Sequence, residues 1–267
     1  MNLIVSLIDS STTVPGTIGA WTEPAAVSSY SDYAHTLTTA QADSILDYTA
    51  LRLQFEAASG QSPVTFDAST DGILNASPQV VTVSHTSSGS NRGYFVAVCW
   101  FGDTGTTSST VTYDGVAATK MWDIEETSNR HCAGWYGVAQ GTGALDVVST
   151  ISTTGLSEHW VGVISMNNVN QTTPVGTDVS DSSDASPQTL TVASVGTNDM
   201  VVDCIHGEGG GAAPAVEADQ TQRDAETGTS AGQHYANSTQ AGSDGGVMSW
   251  TVINNYWVAG AVAFKPV

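Results

Sequence analysis

Short apolar runs recur along most of this chain, each closed by Gly, Pro, Asp, Asn or Ser, and that rhythm leaves little besides β-structure open to it. The runs are rich in Val, Thr, Ile, Trp and Tyr. Long stretches of Leu, Glu, Lys and Arg that would sustain helices are missing. The pattern predicts strands over 79–85, 93–101, 109–113, 116–124, 132–139, 144–152, 158–166, 187–194, 199–206, 215–223, 232–239, 246–253 and 256–264. Tyr94 to Phe101 and Tyr256 to Phe264 are apolar at even and odd positions alike, so both are expected to be central strands buried on two faces. Flanking strands alternate, as a sandwich with one wet face requires. Tyr113-Asp114-Gly115-Val116 is the strongest hairpin signal, because Asp-Gly favours a type I′ turn.

Residues 1–60 read as a small separate β unit. Leu51, Leu53, Phe55 and Ala57 alternate with Arg52, Gln54 and Glu56, which marks a half-buried strand that Asn2 to Ile8 can pair with. Thr39 to Leu46 suggests a short helix between them. Trp21, Tyr30 and Tyr33 fit either a small core or exposed contacts. Residues 61–76, within the Ser-, Gly-, Asp- and Pro-rich stretch 58–78, read as a linker to a β-sandwich over 77–267.

That larger region is written twice. Ser77-Pro78-Gln79-Val80-Val81-Thr82-Val83 matches Ser186-Pro187-Gln188-Thr189-Leu190-Thr191-Val192. Val96-Ala97-Val98-Cys99 aligns with Val201-Val202-Asp203-Cys204, Val147-Val148-Ser149 with Val247-Met248-Ser249, and Trp160-Val161-Gly162-Val163 with Trp257-Val258-Ala259-Gly260. The order is kept in both halves, as a duplication requires. One half alone would leave edges and a face uncovered. The expected fold is therefore all-β: a single jelly-roll-like sandwich with internal pseudo-duplication, closed by packing one half on the other.

Val111-Thr112-Tyr113-Asp114-Gly115-Val116-Ala117, Trp135-Tyr136, Val169 to Gly176, Gln220-Thr221-Gln222-Arg223 and the closing run from Trp257 to Pro266 together resemble a β-sandwich module of uncharacterised tailed-phage structural proteins and bacterial surface proteins. The resemblance covers about residues 77–267. It implies no catalytic, cofactor-binding or metal-ligating residues.

A formal charge of −20, with six Lys plus Arg, argues against nucleic acid and anionic membranes as partners. The opening MNLIVSLIDS has no basic start and reaches Asp9 too soon for a signal peptide. Folding where the chain is made, or prior removal of an export signal, is expected. The three cysteines are an odd number and make no disulfide framework; Cys99 and Cys204 read as buried small hydrophobes, whereas Cys132 lies in a less apolar stretch.

Several patterns touch on chemistry. Gly228-Thr229-Ser230-Ala231-Gly232 fits a nucleophile elbow by spelling, but its flanks read as turn and strand, and His234 precedes Asp244. Gly207-Glu208-Gly209-Gly210-Gly211-Ala212 lacks the helix a dinucleotide turn needs, with Pro214 close behind. Among His131, His159, His206 and His234, the cluster His206, Glu208 and His234 comes nearest to a metal site. Asp178, Asp181 and Asp184 lie in a Ser-rich segment read as a solvated loop, with calcium as the other option. Asp123, Glu125 and Glu126 read as a wet strand end rather than a glycosidase pair. Trp100, Trp160, Trp250 and Trp257 are expected in the core. Trp122, Trp135 and Tyr136 are expected there too, with sugar stacking as the alternative.

The expected function is a non-catalytic virion structural protein of a tailed phage: a capsid decoration, head-fibre or tail-associated component assembled in the host cytoplasm. Residues 1–60 would anchor it to a capsid or other virion protein, and a homo-oligomer (a trimer or ring) would form. The alternative is a carbohydrate-binding or adhesion module on a cell surface, extracellular and contacting host glycans. An enzyme is not expected, and no catalytic residue, cofactor or metal is assigned.

Overall fold

The computed structural model describes residues 2–9, 12–13, 19–22, 39, 42, 51–58, 61–75, 79–102, 109–126, 129–153, 155–183, 186–208, 213–230, 232–251 and 256–267. The chain divides into two compact units, Met1–Gln61 and Ser62–Val267. In the first, β1 (Asn2–Asp9) pairs antiparallel with β4 (Leu51–Ala58) along its whole length, and its two ends pair with β2 (Thr12–Thr13) and β3 (Gly19–Thr22). The expected pairing of Asn2 to Ile8 with the alternating 51–57 run is thus present. Thr39 and Ala42 are helical, but the rest of the Thr39–Leu46 segment, with Tyr30 and Tyr33, lies outside the described residues.

The second unit holds four antiparallel sheets, each drawn from one half of the sequence. The first half contributes β5 (Thr65–Asn75), β6 (Val80–Ser87), β7 (Gly93–Phe101), β8 (Ser109–Tyr113), β9 (Val116–Ala117), β10 (Thr119–Glu126), β11 (Arg130–Val138), β12 (Gly143–Ile151) and β13 (Glu158–Asn167). They form a large sheet ordered β10-β11-β7-β13-β5 and a small one ordered β6-β12-β8-β9. The second half contributes β14 (Val179–Ser183), β15 (Gln188–Thr191), β16 (Met200–Glu208), β17 (Ala215–Val216), β18 (Gln220–Thr227), β19 (Gln233–Ala241), β20 (Val247–Thr251) and β21 (Tyr256–Phe264). Their orders are β18-β19-β16-β21-β14 and β15-β20-β17. Read strand for strand, the two orders are the same topology, so the duplication seen in the sequence is a duplication of the fold.

Each half is a complete sandwich. Val81, Val96, Val98, Trp100, Val111, Tyr113, Val147 and Val163 fill the space between the first pair of sheets. Leu190, Val201, Ile205, Met248, Trp250 and Trp257 fill the second. A third core, with Phe95, Trp122, Trp160, Ile164, Val202, Tyr235, Val262 and Phe264, lies between the two large sheets. There β10 packs beside β14 and β21, β7 beside β16 and β19, and β5 beside β18. Equivalent strands β7 and β16 face one another at the middle while the outer strands exchange places, so the halves are related by a pseudo-twofold axis through this seam.

The all-β class, the internal duplication and the packing of one half on the other are as expected; what differs is that each half is already a two-sheet sandwich, so the halves make two sandwiches rather than one. The halves do not interleave their strands. They stack as four layers, small sheet, large, large, small. The strands that are apolar on both faces are central for this reason: β7 and β21 each line a sandwich core on one side and the seam on the other.

The linker expected over 61–76 is also corrected. Residues 65–75 form β5, an edge strand paired with β13 from Thr65↔Asn167 to Asn75↔Glu158. Its Ser, Asp and Gly residues hide the strand because an edge strand held by backbone bonds needs little apolar side chain. Asp67 accepts from the Ser88 amide at 2.8 Å and the Ser165 hydroxyl at 2.9 Å, and Asp71 from the Trp160 indole at 2.9 Å. The second repeat does the same: the segment of Asp178 and Asp181, expected as a loop, carries β14 along β21. Each repeat therefore starts one strand earlier than the Ser-Pro-Gln match. Two long predicted strands, 116–124 and 215–223, are each broken where the chain passes from a small sheet to a large one, at β9–β10 and β17–β18. The Asp114-Gly115 turn has φ of 51° and 75°, as a type I′ hairpin demands.

Candidate functional site

The seam between the large sheets carries a cluster of buried polar groups, and its register explains which side chains meet. Along β7 the odd-numbered Phe95, Ala97 and Cys99 point into the seam, and along β16 the even-numbered Met200, Val202, Cys204 and His206 do so. Cross-strand pairing places Cys132 beside Cys99, Tyr235 beside His206, and Glu158 beside Phe101.

At one end of the seam Arg130 is buried, with its guanidinium 3.2 Å from Glu126 and in contact with Glu208 of the other sandwich. The rings of Phe101 and Tyr256 lie 5.6 and 5.5 Å from it. A buried Arg with two carboxylates persists because each group satisfies the others' charge. Glu126 is thus a buried ion-pair partner rather than part of a wet strand end, although Asp123 and Glu125 on the same strand are exposed.

Next to this triad, Glu158 is fully buried and accepts from the Tyr235 hydroxyl at 2.7 Å, from the Thr229 hydroxyl at 3.3 Å and from the Ser230 backbone amide. His206 lies 4.5 Å from the Tyr235 ring at a tilt of 36°, donates from Nδ1 to the His131 carbonyl at 3.1 Å, and has Nε2 2.9 Å from the Gln233 side-chain amide. Burial pushes the His206 imidazole down to about 3, so it is neutral at pH 7. Burial, and then the Glu158 carboxylate, pushes the Tyr235 phenol well up.

Toward the middle of the seam stand Cys99, Cys132 and Cys204, all fully buried, with their sulfurs within 4.8 Å of one another. Cys132 and Cys204 are 2.9 Å apart, sulfur to sulfur. Burial pushes the Cys99 and Cys204 thiols well up. At Cys132 burial opposes ionisation, but donation from the Cys204 and Cys99 thiols outweighs it and draws the thiol down. This is the one group of His, Cys, Asp and Glu ligand atoms that converges among the described residues. The sequence marked Cys99 and Cys204 as buried; that Cys132 joins them follows from its pairing with Cys99, which residue type alone does not reveal.

The other patterns disperse. His206, Glu208 and His234 share no site: Gly207 pairs with His234, so His234 projects from the opposite face of the sheet to His206 and has its Nδ1 3.2 Å from the Thr227 hydroxyl. His131 stacks on Trp100 at 4.5 Å, and His159 lies 3.0 Å from the Ser149 hydroxyl. Gly228 to Ser230 lie between two strands, and the Ser230 amide serves Glu158, so the strand–turn–helix context of a nucleophile elbow is not there. Ala231, Gly209 to Ala212 and Asp184 lie outside the described residues. Trp100, Trp160, Trp250 and Trp257 are all buried, as expected, and Trp122 and Trp135 are buried with them, while Tyr136 is half-buried.

A second polar group lies inside the second sandwich. Asp203, fully buried, accepts from the Ser238 hydroxyl and the Trp250 indole, both at 2.6 Å. Burial raises its carboxyl to about 6. The corresponding pair in the first sandwich is Val96 beside Trp135, so the repeats share a backbone but not a core chemistry.

Comparison with protein-family models, with curated proteins and with solved structures returns no significant match. What the fold and the seam define is an all-β protein made of two stacked copies of one sandwich.

Proposed function

We propose that this chain is a non-catalytic structural protein of a tailed-phage virion, a capsid decoration, head-fibre or tail-associated component, in which residues 1–61 attach to a capsid or other virion protein and the doubled sandwich is displayed. The observation that carries the reading is the use made of the seam's ionisable groups. Arg130 is paired with Glu126 and Glu208, Glu158 accepts from Tyr235, and His206 is held by the His131 carbonyl and Gln233, so these groups serve the contact between the halves rather than present an acid, base or nucleophile to a substrate. A strongly acidic chain divided into a small β unit and a doubled sandwich suits an anchor with a displayed, soluble body. The carbohydrate-binding alternative draws less support, because burial of Trp122 and Trp135 withdraws the ring faces a sugar would stack on.

Deleting residues 1–61 tests the anchor. The shortened chain is expected to stay folded and soluble, to lose incorporation into particles purified from the native source, and to lose the homo-oligomeric state of the full chain. Incorporation at the full-length level would overturn the reading, as would turnover of a polysaccharide lost on Glu158→Gln.

A further inference from the structure

We propose that Cys99, Cys132 and Cys204 form a three-sulfur site for one monovalent copper ion, Cu(I), which ties the two sandwiches together across their seam. Two ligands come from the first half, on neighbouring strands β7 and β11, and the third from β16 of the second half. All three strands lie inside their sheets and are bonded on both sides, so the backbone that carries the sulfurs is fixed.

The donor set selects the ion. Three thiols with no carboxylate among them exclude calcium and magnesium, which take oxygen. Zinc wants a fourth ligand in a tetrahedron. Among the described residues no His, Asp or Glu atom joins the three sulfurs. On β19, Asn237 is paired with Cys204, and its side-chain oxygen is engaged with the Asp224 amide at 3.0 Å. Soft thiolates in a trigonal set, in an apolar shell, suit Cu(I). Metal–sulfur bonds of about 2.3 Å in a plane put the sulfurs about 4.0 Å apart. The trio is already gathered within 4.8 Å, and the 2.9 Å Cys132–Cys204 contact must widen.

Binding leaves copper in the Cu(I) state: three copper–sulfur bonds form, each thiol still protonated loses its S–H bond, and those protons pass to solvent. Because the sulfurs are fully buried, loading accompanies folding, and exchange from the folded chain is slow.

The test refolds the full-length chain from denaturant in oxygen-free buffer. Cu(I) is supplied from a weak chelator, with equimolar zinc present. Metal per chain is then measured by plasma mass spectrometry, and the copper shell by X-ray absorption. The expected result is one copper per chain with three sulfurs at about 2.3 Å. Retention is expected to fall at least tenfold in Cys132→Ala and Cys204→Ala chains that keep the wild-type circular dichroism. Less than a tenth of an equivalent in the wild-type chain overturns the proposal, and so does a copper shell of two sulfurs or of nitrogen and oxygen. Zinc retained in preference overturns it as well. So does recovery of the chain two hydrogens lighter, with a Cys132–Cys204 disulfide and no metal. The absorption measurement on the unmutated chain decides the matter even if both variants fail to fold. None of these outcomes depends on the virion reading.

Discussion

Trp122 stands on β10 of the first sandwich with its indole against Gly134 of its own sheet and Gly260 of the other. A side chain at either glycine would land inside the ring, so the two glycines are the space the indole needs to cross the seam. Gly260→Ala is expected to destabilise the chain by about 1–3 kcal/mol through overpacking, with a changed near-ultraviolet tryptophan signal. An unaltered urea midpoint would show that the indole does not depend on that gap. Two buried titratable groups make opposed predictions with pH. Asp203, raised to about 6 from an ordinary 3.8, binds a proton more readily folded than unfolded; its contribution is present below about 4 and lost as pH rises through about 6. His206, lowered from 6.5 to about 3, does the reverse: its contribution is present above about 6.5 and lost as pH falls through about 3. Asp224, also raised to about 6, adds to the Asp203 trend. Asp203→Asn should therefore make stability fall more steeply on acidification from pH 6.5 to 4, and His206→Gln less steeply, as read from denaturant midpoints across that range. Equal slopes in wild type and both variants would mean that neither group's proton affinity differs between the folded and unfolded chain.

Among the elements, β5 and β14 matter most for what they lack. Both are edge strands poor in apolar residues, and each opens its repeat. Their partners β13 and β21 were plain in the sequence as apolar runs, because a strand between two cores must be apolar on both faces, whereas an edge strand only has to offer a backbone. A chain cut at Ser77, the start suggested by composition, would expose β13 along its whole outer edge and strand the Trp160 indole without Asp71. The 62–267 fragment is expected to melt as one cooperative transition. The 77–267 fragment should aggregate or melt at least several degrees lower, measured by circular dichroism on both. Matching melting curves would return residues 61–76 to the status of a linker.

For the whole molecule, stacking two sandwiches makes the seam a second-order core. It buries Phe95, Ile164, Met166, Val262 and Phe264, which a single sandwich would leave on an open sheet face. The isolated first half, residues 62–170, is therefore expected to be insoluble or to dimerise through its large sheet, reproducing the pseudo-twofold contact with a second copy. A stable, soluble monomer in light scattering would show that the seam is dispensable. The repeat was legible, but its finer alignment was not uniform. The Cys99–Cys204 match is two residues off the structural one, which sets Cys99 against His206: the bonds Ala139–Arg92 and Gly242–Asp199, and the bulges of β10 and β18, are equivalent in the two halves. The pairing partners put Ser149 opposite Val81 and Met248 opposite Leu190, one residue away from the Val147–Val247 match. Trp160 corresponds to Val258, one residue from the Trp–Trp match, and the two tryptophans face different cores. Short Val- and Ser-rich strands tolerate such slips in writing, whereas a sheet does not, because a one-residue shift turns each side chain to the other face.

By itself the sequence determined the all-β class, most strand positions, the hairpin at Asp114-Gly115 and the presence of two similar halves. Each of these follows from local periodicity and from turn chemistry that acts over a few residues. Tertiary structure alone decided that the halves stack rather than interleave, that polar edges complete the sheets, and that three cysteines separated by dozens of residues meet at one point. Those outcomes depend on which faces come together, and a residue's identity does not encode the neighbour it will acquire from a strand far away in the chain.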